Sequence, residues 1–222
     1  MAWIARVIVP GFPHHITQRG NRCQPTFFND EDYAAYLDLM AQWCAKHAVE
    51  VWAWCLMPNH VHLIAVPPTP EGLARAVGEA HRRYTRRINF REGWRGYLWQ
   101  GRFASYPMDA AYTLAAARYV ERNPVRAGLV ERAWDGPWSS AAGHVAGQED
   151  KLIKAGGPLA AEVRNWRQFL RSEDEGDDLE RLRRHGRTGR PLGDEAFVAS
   201  LEKRLGRRLV PAQGGRPRKK DN

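Results

Sequence analysis

Cysteine is scarce: Cys23, Cys44 and Cys55 are the only three in 222 residues, and no two have Cys-x-x-Cys spacing. An odd number so placed argues against a disulfide framework and fits a reducing cytoplasm. Long apolar runs are missing too. None approaches the roughly 18 residues needed to span a bilayer, so no membrane partner is expected. The opening stretch meets Arg6 too early for the apolar segment of an export signal. No internal repeat is visible. Acid is under-represented: 34 Lys+Arg stand against 25 Asp+Glu, for a net charge of +9 and a pI near 9.8. That balance favours a polyanionic partner.

An apolar content of 43% over 222 residues is enough for one domain with a real core plus an appendage, or for two small domains. The charge is uneven. Residues 1–150 carry 16 Lys+Arg against 14 Asp+Glu, residues 151–178 carry 5 against 6, and residues 179–222 carry 13 against 5. The basic excess therefore sits in the C-terminal stretch, as either an anion-binding arm or a solvated tail. Nine Trp is a high count. Some belong in a core, and exposed ones could stack on unpaired bases.

Along the chain, residues 4–9 read as a short strand, broken at Pro10-Gly11-Phe12-Pro13 and resumed over 14–19. Asn29-Asp30-Glu31-Asp32 is a helix start, rich in capping and dipole-favoured residues. Tyr33, Tyr36, Leu37, Met40, Trp43 and Cys44 follow at helical spacing, which predicts a helix ending near His47. Residues 49–56 and 60–66 form a hairpin around Met57-Pro58-Asn59. A second helix runs from 71 to about 90, with Leu73, Val77, Ala80, Tyr84 and Ile88 inward and Arg82, Arg83, Arg86 and Arg87 outward. A loop over 93–101, a strand within 103–108 and a third helix capped by Asp109 and ending before Pro124 complete the pattern. Strand, helix, strand, strand, helix, strand, helix describes an α+β fold: a ferredoxin-like sandwich with an antiparallel sheet and helices on one face. A boundary falls within 143–150. Beyond it lie helical segments near 159–171 and 194–205, separated by the acidic run 173–178, and a basic tip at 214–220.

His60 and His62 flank Val61 in the strand that follows the turn. Alternate strand residues share a face, so the two imidazoles project together as a half-site for a divalent metal. The same spacing also suits two half-buried polar residues. A third ligand and a nucleophile would decide between these readings. Tyr119 and Asn123 lie four apart, on one face of the third helix. Asn123 offers a hard carbonyl oxygen suited to Mg²⁺ or Mn²⁺. Tyr119 offers a phenol that can attack a metal-polarised phosphodiester. Tyr112 and Tyr119, seven apart, could equally be a core stripe, and Asn123 before Pro124 a helix stop.

Several motifs carry a resemblance. They are Val9-Pro10-Gly11 with His15-Ile16-Thr17-Gln18-Arg19-Gly20-Asn21, then Met57-Pro58-Asn59-His60-Val61-His62-Leu63, then Trp99-Gln100-Gly101-Arg102-Phe103. Tyr119-Val120-Glu121-Arg122-Asn123-Pro124-Val125-Arg126-Ala127-Gly128-Leu129-Val130 and Trp138-Ser139-Ser140 complete the set. In order and spacing over about residues 4–142, the chain resembles the REP-associated tyrosine transposases, relatives of the single-tyrosine HUH transposases of IS200-like elements. The resemblance implies a bacterial, nucleoid-associated enzyme that cuts and rejoins single-stranded DNA at palindromic hairpins through a 5′-phosphotyrosine. In it Tyr119 is catalytic, His60, His62 and Asn123 hold Mg²⁺ or Mn²⁺, and no nucleotide cofactor is needed. It leaves open monomer or homodimer.

Arg82, Arg83, Arg86 and Arg87 can track phosphates, or form a solvated helix face. Arg102 can hold phosphate while Trp99 and Phe103 stack on bases. Gln18, Arg19, Asn21 and Arg22 can read base edges. Residues 1–145 then form the catalytic domain. Residues 146–222 form a helical, basic DNA-binding extension with a flexible end, in which Arg187 and Arg190 contact DNA. The alternatives are a domesticated repeat-binding protein without catalysis, or a metallohydrolase using metal-bound water. For the extension, the alternative is a protein-interaction or autoinhibitory arm.

Overall fold

In the computed structural model, which describes residues 4–173 and 176–211, four strands form one antiparallel sheet. β1 (His14–Arg19), β2 (Glu50–Met57), β3 (His60–Val66) and β4 (Ala104–Pro107) lie in the order β2-β3-β1-β4. α1 (Asp30–Lys46) follows β1, α2 (Gly72–Glu92) follows β3, and α3 (Ala110–Glu121) follows β4. With the first and third strands central, this is the ferredoxin-like α+β sandwich.

Local chemistry explains the elements. Asn29 caps α1 by accepting from the Asp32 amide, and Asp30, Glu31 and Asp32 favour its positive end. Asp109 caps α3 by accepting from the Tyr112 amide. The β2–β3 turn is gripped from outside. Pro58 O accepts from the Thr26 amide at 2.8 Å, and Asn59 O accepts from the Gly20 amide at 2.8 Å. Gly20 is required there, because a Cβ would stand 2.2 Å from Gln24 O.

The period of two gives the sheet unlike faces. On one, Ile16, Val61, Leu63, Ala65 and Leu56 are buried under α1 and α2, against Tyr36, Met40, Leu73, Val77 and Tyr84. On the other, Ala53, Cys55, Ile64 and Tyr106 pack with Ala116, Ala117 and Val120 of α3. Alanines at the contact let α3 lie close to the strands. Buried Glu121 then ties α3 down, accepting from Ser140 Oγ and lying 2.5 Å from His144 Nδ1.

After α3 come α4 (Asn123–Arg126), α5 (Ala141–Ala146), α6 (Pro158–Glu162), α7 (Trp166–Arg171), α8 (Gly176–Thr188) and α9 (Glu195–Leu205). Leu159, Trp166, Leu170, Leu182 and Leu192 join the α3 core, and Ile153 joins the α1–α2 core. Residues on both sides of 145 thus share their apolar interiors. Among the described residues, no helix is long and apolar enough to cross a membrane.

Three expectations need correction. Residues 4–9 are not a strand. β1 already has β3 and β4 as its two neighbours, and Val7 and Val9 are buried with Leu201 and Leu209 beside α9. The helical stretch 159–171 is two short helices with a break at 163–165. The acidic run 173–178 is not only a separator: its last residues start α8, where Asp177 and Asp178 sit in the first turn. The basic tip 214–220 lies outside the described residues.

Candidate active site

Antiparallel register pairs Thr17 with His62 and His15 with Ile64, so His15, Thr17, His60 and His62 share the face that α3 covers. At the β1 end of that face the packing opens into a cleft of about 600 Å³. His60, His62, Tyr119 and Asn123 all line it, with Arg19, Arg126, Gln100 and, from α8, Leu182, Arg183, Gly186 and Arg187. Among the described residues, four arginines and no carboxylate border the space, a field that suits a phosphate.

Tyr119 is held from three sides. Its ring meets His62 edge-on at 5.6 Å between centroids and His15 at 5.8 Å. The Arg126 guanidinium lies 4.1 Å from the ring centroid, and Arg126 Nη2 donates to Tyr119 O at 2.9 Å. Asn123 opens α4 rather than continuing α3. Its Nδ2 donates to Tyr119 O at 3.2 Å, which leaves Oδ1 as the amide's ligating atom.

The histidines are tuned by burial and by positive neighbours. Burial, then Arg19 and Arg126, pushes His60 down to about 4. Burial, then His15, His60, Arg126 and Arg19, holds His62 well below the usual imidazole range. Both are therefore neutral near pH 7, the form that ligates metal. Each has one ring nitrogen engaged: His60 Nδ1 with Asn59 Oδ1 at 2.6 Å, and His62 Nδ1 with His15 Nε2 at 3.0 Å. The Nε2 atoms remain, so two imidazoles and one amide oxygen fit a hard-to-borderline divalent ion. Among the described residues no group of three His, Cys, Asp or Glu side chains could hold a metal, so a third protein ligand beside the two imidazoles would be an amide or hydroxyl oxygen, and Asn123 is one of those lining the cleft.

The other candidate residues are dispersed. Arg187 borders the cleft, as does Gln18 at its rim, although Gln18 is only 4% exposed and donates to Gly101 O at 3.0 Å. Gln18, Arg82, Trp99 and Arg102 line a neighbouring cleft of about 510 Å³ with Arg6 and Tyr97. Trp99 does not offer a stacking face. It is 5% exposed and packed near Tyr36, His81 and Tyr84, while Tyr97 is 84% exposed. Arg82 pairs with Glu79, and Arg83 lies over the Trp43 ring. Arg83, Arg86, Arg87, Asn21 and Arg22 line neither cleft, and Arg190 donates to Leu209 O. His15, Arg126 and Arg183 are site residues that the sequence reading did not single out. Applying the period of two to 14–19 as well as to 60–66 would have exposed His15.

A model of the IS200-like transposases matches residues 13–123, the stretch that carries the sheet, both histidines, Tyr119 and Asn123. The chain belongs to that family. It is 29% identical over 110 residues to a Haemophilus influenzae protein named as a REP-associated tyrosine transposase. The match covers 45% of this chain and 62% of that relative's length. A solved structure of a REP-associated tyrosine transposase bound to a REP hairpin has a similar fold. It has a TM-score of 0.54 and 21% identity, covering 68% of this chain and 90% of the other.

Proposed function

We propose that the chain cuts and rejoins single-stranded DNA at palindromic hairpins, with Tyr119 as nucleophile. The observation that carries this is the packing of Tyr119 against His62 inside a cleft bordered by Arg19, Arg126, Arg183 and Arg187. The Tyr119 oxygen bonds to the scissile phosphorus and its proton passes to solvent. The 3′ oxygen leaves and is protonated, giving a 5′-phosphotyrosine and a free 3′-hydroxyl. Rejoining reverses the step without ATP, because the bond energy is kept in the ester. Mg²⁺ or Mn²⁺, held by His60, His62 and Asn123, would polarise the phosphate and offset its charge.

Arg19, Arg126, Arg183 and Arg187 hold the DNA backbone on either side of that phosphate. Their positive charge works against a divalent cation in the DNA-free cleft. Metal and DNA phosphate therefore bind better together than apart. In this reading residues 146–222 act as a DNA-binding extension of a 1–145 catalytic domain, in a nucleoid-associated cytoplasmic protein.

The test is a denaturing gel of labelled hairpin DNA with Mn²⁺. A covalent protein–DNA adduct is expected, and Tyr119→Phe should reduce it at least about a thousandfold, ~4 kcal/mol of barrier. Cleavage that survives Tyr119→Phe would instead make metal-bound water the nucleophile, and no adduct with any related hairpin removes the enzymatic reading.

A further inference from the structure

Resting on the metal-seat reading above, we infer that His15, Tyr106 and Asn59 are positioning residues that fix the protons of His60 and His62 on Nδ1, so that both Nε2 lone pairs face the cleft. The argument is a proton count. Tyr106 Oη donates to Leu182 O at 3.1 Å, and a carbonyl oxygen can only accept. A hydroxyl has one hydrogen, so Tyr106 Oη must accept in its 2.8 Å bond with His15 Nδ1. His15 therefore carries its proton on Nδ1 and accepts at Nε2. The 3.0 Å bond from His62 Nδ1 to His15 Nε2 then requires the His62 proton to be on Nδ1. Three buried polar side chains, His15, His62 and Tyr106, are each satisfied with one consistent direction of donation.

A second relay fixes His60 in the same way. Asn59 Nδ2 donates to Cys23 O at 3.1 Å, which assigns its Oδ1 as the acceptor facing His60 Nδ1, 2.6 Å away. The Cys23 carbonyl is itself held by unusual backbone. Arg22 and Cys23 have φ of 53° and 60°, a left-handed pair without glycine. Such conformations persist only where the surroundings impose them. One relay thus begins at the main chain of α8 and the other at the loop after β1. They end on the two imidazoles that share a face of β3. Orientation of metal-bound imidazoles through their second nitrogen has a known worth: losing such a partner costs roughly 10- to 100-fold in metal affinity or activity.

The experiment reads tautomers directly, by long-range ¹H–¹⁵N NMR on full-length, ¹⁵N-histidine-labelled protein at pH 7 without metal or DNA. His15, His60 and His62 should all carry their proton on Nδ1. Tyr106→Phe removes the hydroxyl and keeps the ring. In it His15 should move toward the Nε2–H form and His62 with it, while His60 stays unchanged. Asn59→Ala should release His60 alone, and Asn59→Asp, which keeps the acceptor at His60 Nδ1 but loses the donor to Cys23 O, should restore it in part. In hairpin cleavage, Tyr106→Phe and Asn59→Ala should each need about tenfold more Mn²⁺ for half-maximal rate, with Asn59→Asp between Asn59→Ala and the unaltered protein. An Nε2–H form of His60 or His62 in the unaltered protein, or a His62 proton that stays on Nδ1 in Tyr106→Phe, overturns the inference. Because the tautomers are read without metal or DNA, a protein with these tautomers but no adduct would refute the proposed function and leave the relays standing.

Discussion

The two faces of the sheet are made by the same strands and both carry apolar core, but the polar cleft opens on the α3 side. Beneath α1 and α2, Ile16, Val61, Leu63 and Ala65 are fully buried among apolar side chains. One residue along in each case, His15, Thr17, His60 and His62 project to the side of α3 and α8, where part of the surface is core and part is open cleft. The pleat is what separates stability from chemistry. Neighbouring residues of β3 differ in what they touch, so changes to one face should leave the other largely alone.

The strongest way to break that comparison is a pair of neighbouring substitutions. His60→Ala should lower adduct formation by about 100-fold or more, while stability stays within about 1 kcal/mol. Leu63→Ala should do the reverse. Stability should fall by roughly 2–5 kcal/mol in urea unfolding, with adduct yield per folded molecule within about threefold. If Leu63→Ala abolishes adduct in folded protein, the faces are coupled. A smaller effect comes from pH. Burial takes His81, on the α1–α2 side, from its ordinary 6.5 down to about 3. The unfolded chain therefore takes up a proton below pH 6.5 that the folded chain refuses. Stability is complete above pH 6.5 and falls as pH drops toward 3, by at most ~1.4 kcal/mol per pH unit from this group. His14, at about 4, acts with the same sign. Urea midpoints measured from pH 7 to 5 should decline, and His81→Gln should flatten the decline. A flat profile in the unaltered protein would contradict the buried neutral state.

The smallest effect sharpens the cleft side alone. Replacing Arg183 and Arg187 by Ala should weaken hairpin binding about tenfold and reduce the slope of log affinity against log salt by about 2, with no change in melting temperature beyond a few degrees. An unchanged salt slope would remove these arginines from the DNA path.

What the sequence revealed follows the same division. α1, α2 and the β2–β3 hairpin were legible because caps, a period near 3.6 and a period of two coincide with burial. The His60–His62 pair was legible for the same reason, since it lies within one strand, and the Tyr119–Asn123 spacing stayed legible although α3 ends at Glu121 and Asn123 opens α4. Residues 4–9 misled because Val7 and Val9 alternate like a strand, yet what they meet is α9 and not a free sheet edge. α8 was missed because Leu182 is its one buried residue amid Arg, Asp and Glu, too little to show a helical stripe. Trp99 looked like a base platform because exposure has no signature in a Gly-containing loop. His15 appeared in a family motif without a role, because its role exists only across strands, in the register that sets it beside His62.

Tyr106 reaches α8 through a main-chain carbonyl, and that contact is blind to the identity of the residue supplying it. What holds the carbonyl in place is the Leu182 side chain, buried in the α3 core, while the exposed side chains of α8 take no part in the contact. The loop after β1 has no such freedom, because Gly20, the left-handed Arg22–Cys23 pair and the turn carbonyls lock it to the hairpin. Of the two supports behind the histidines, then, the loop tolerates fewer changes of residue than the carbonyl contact from the helix.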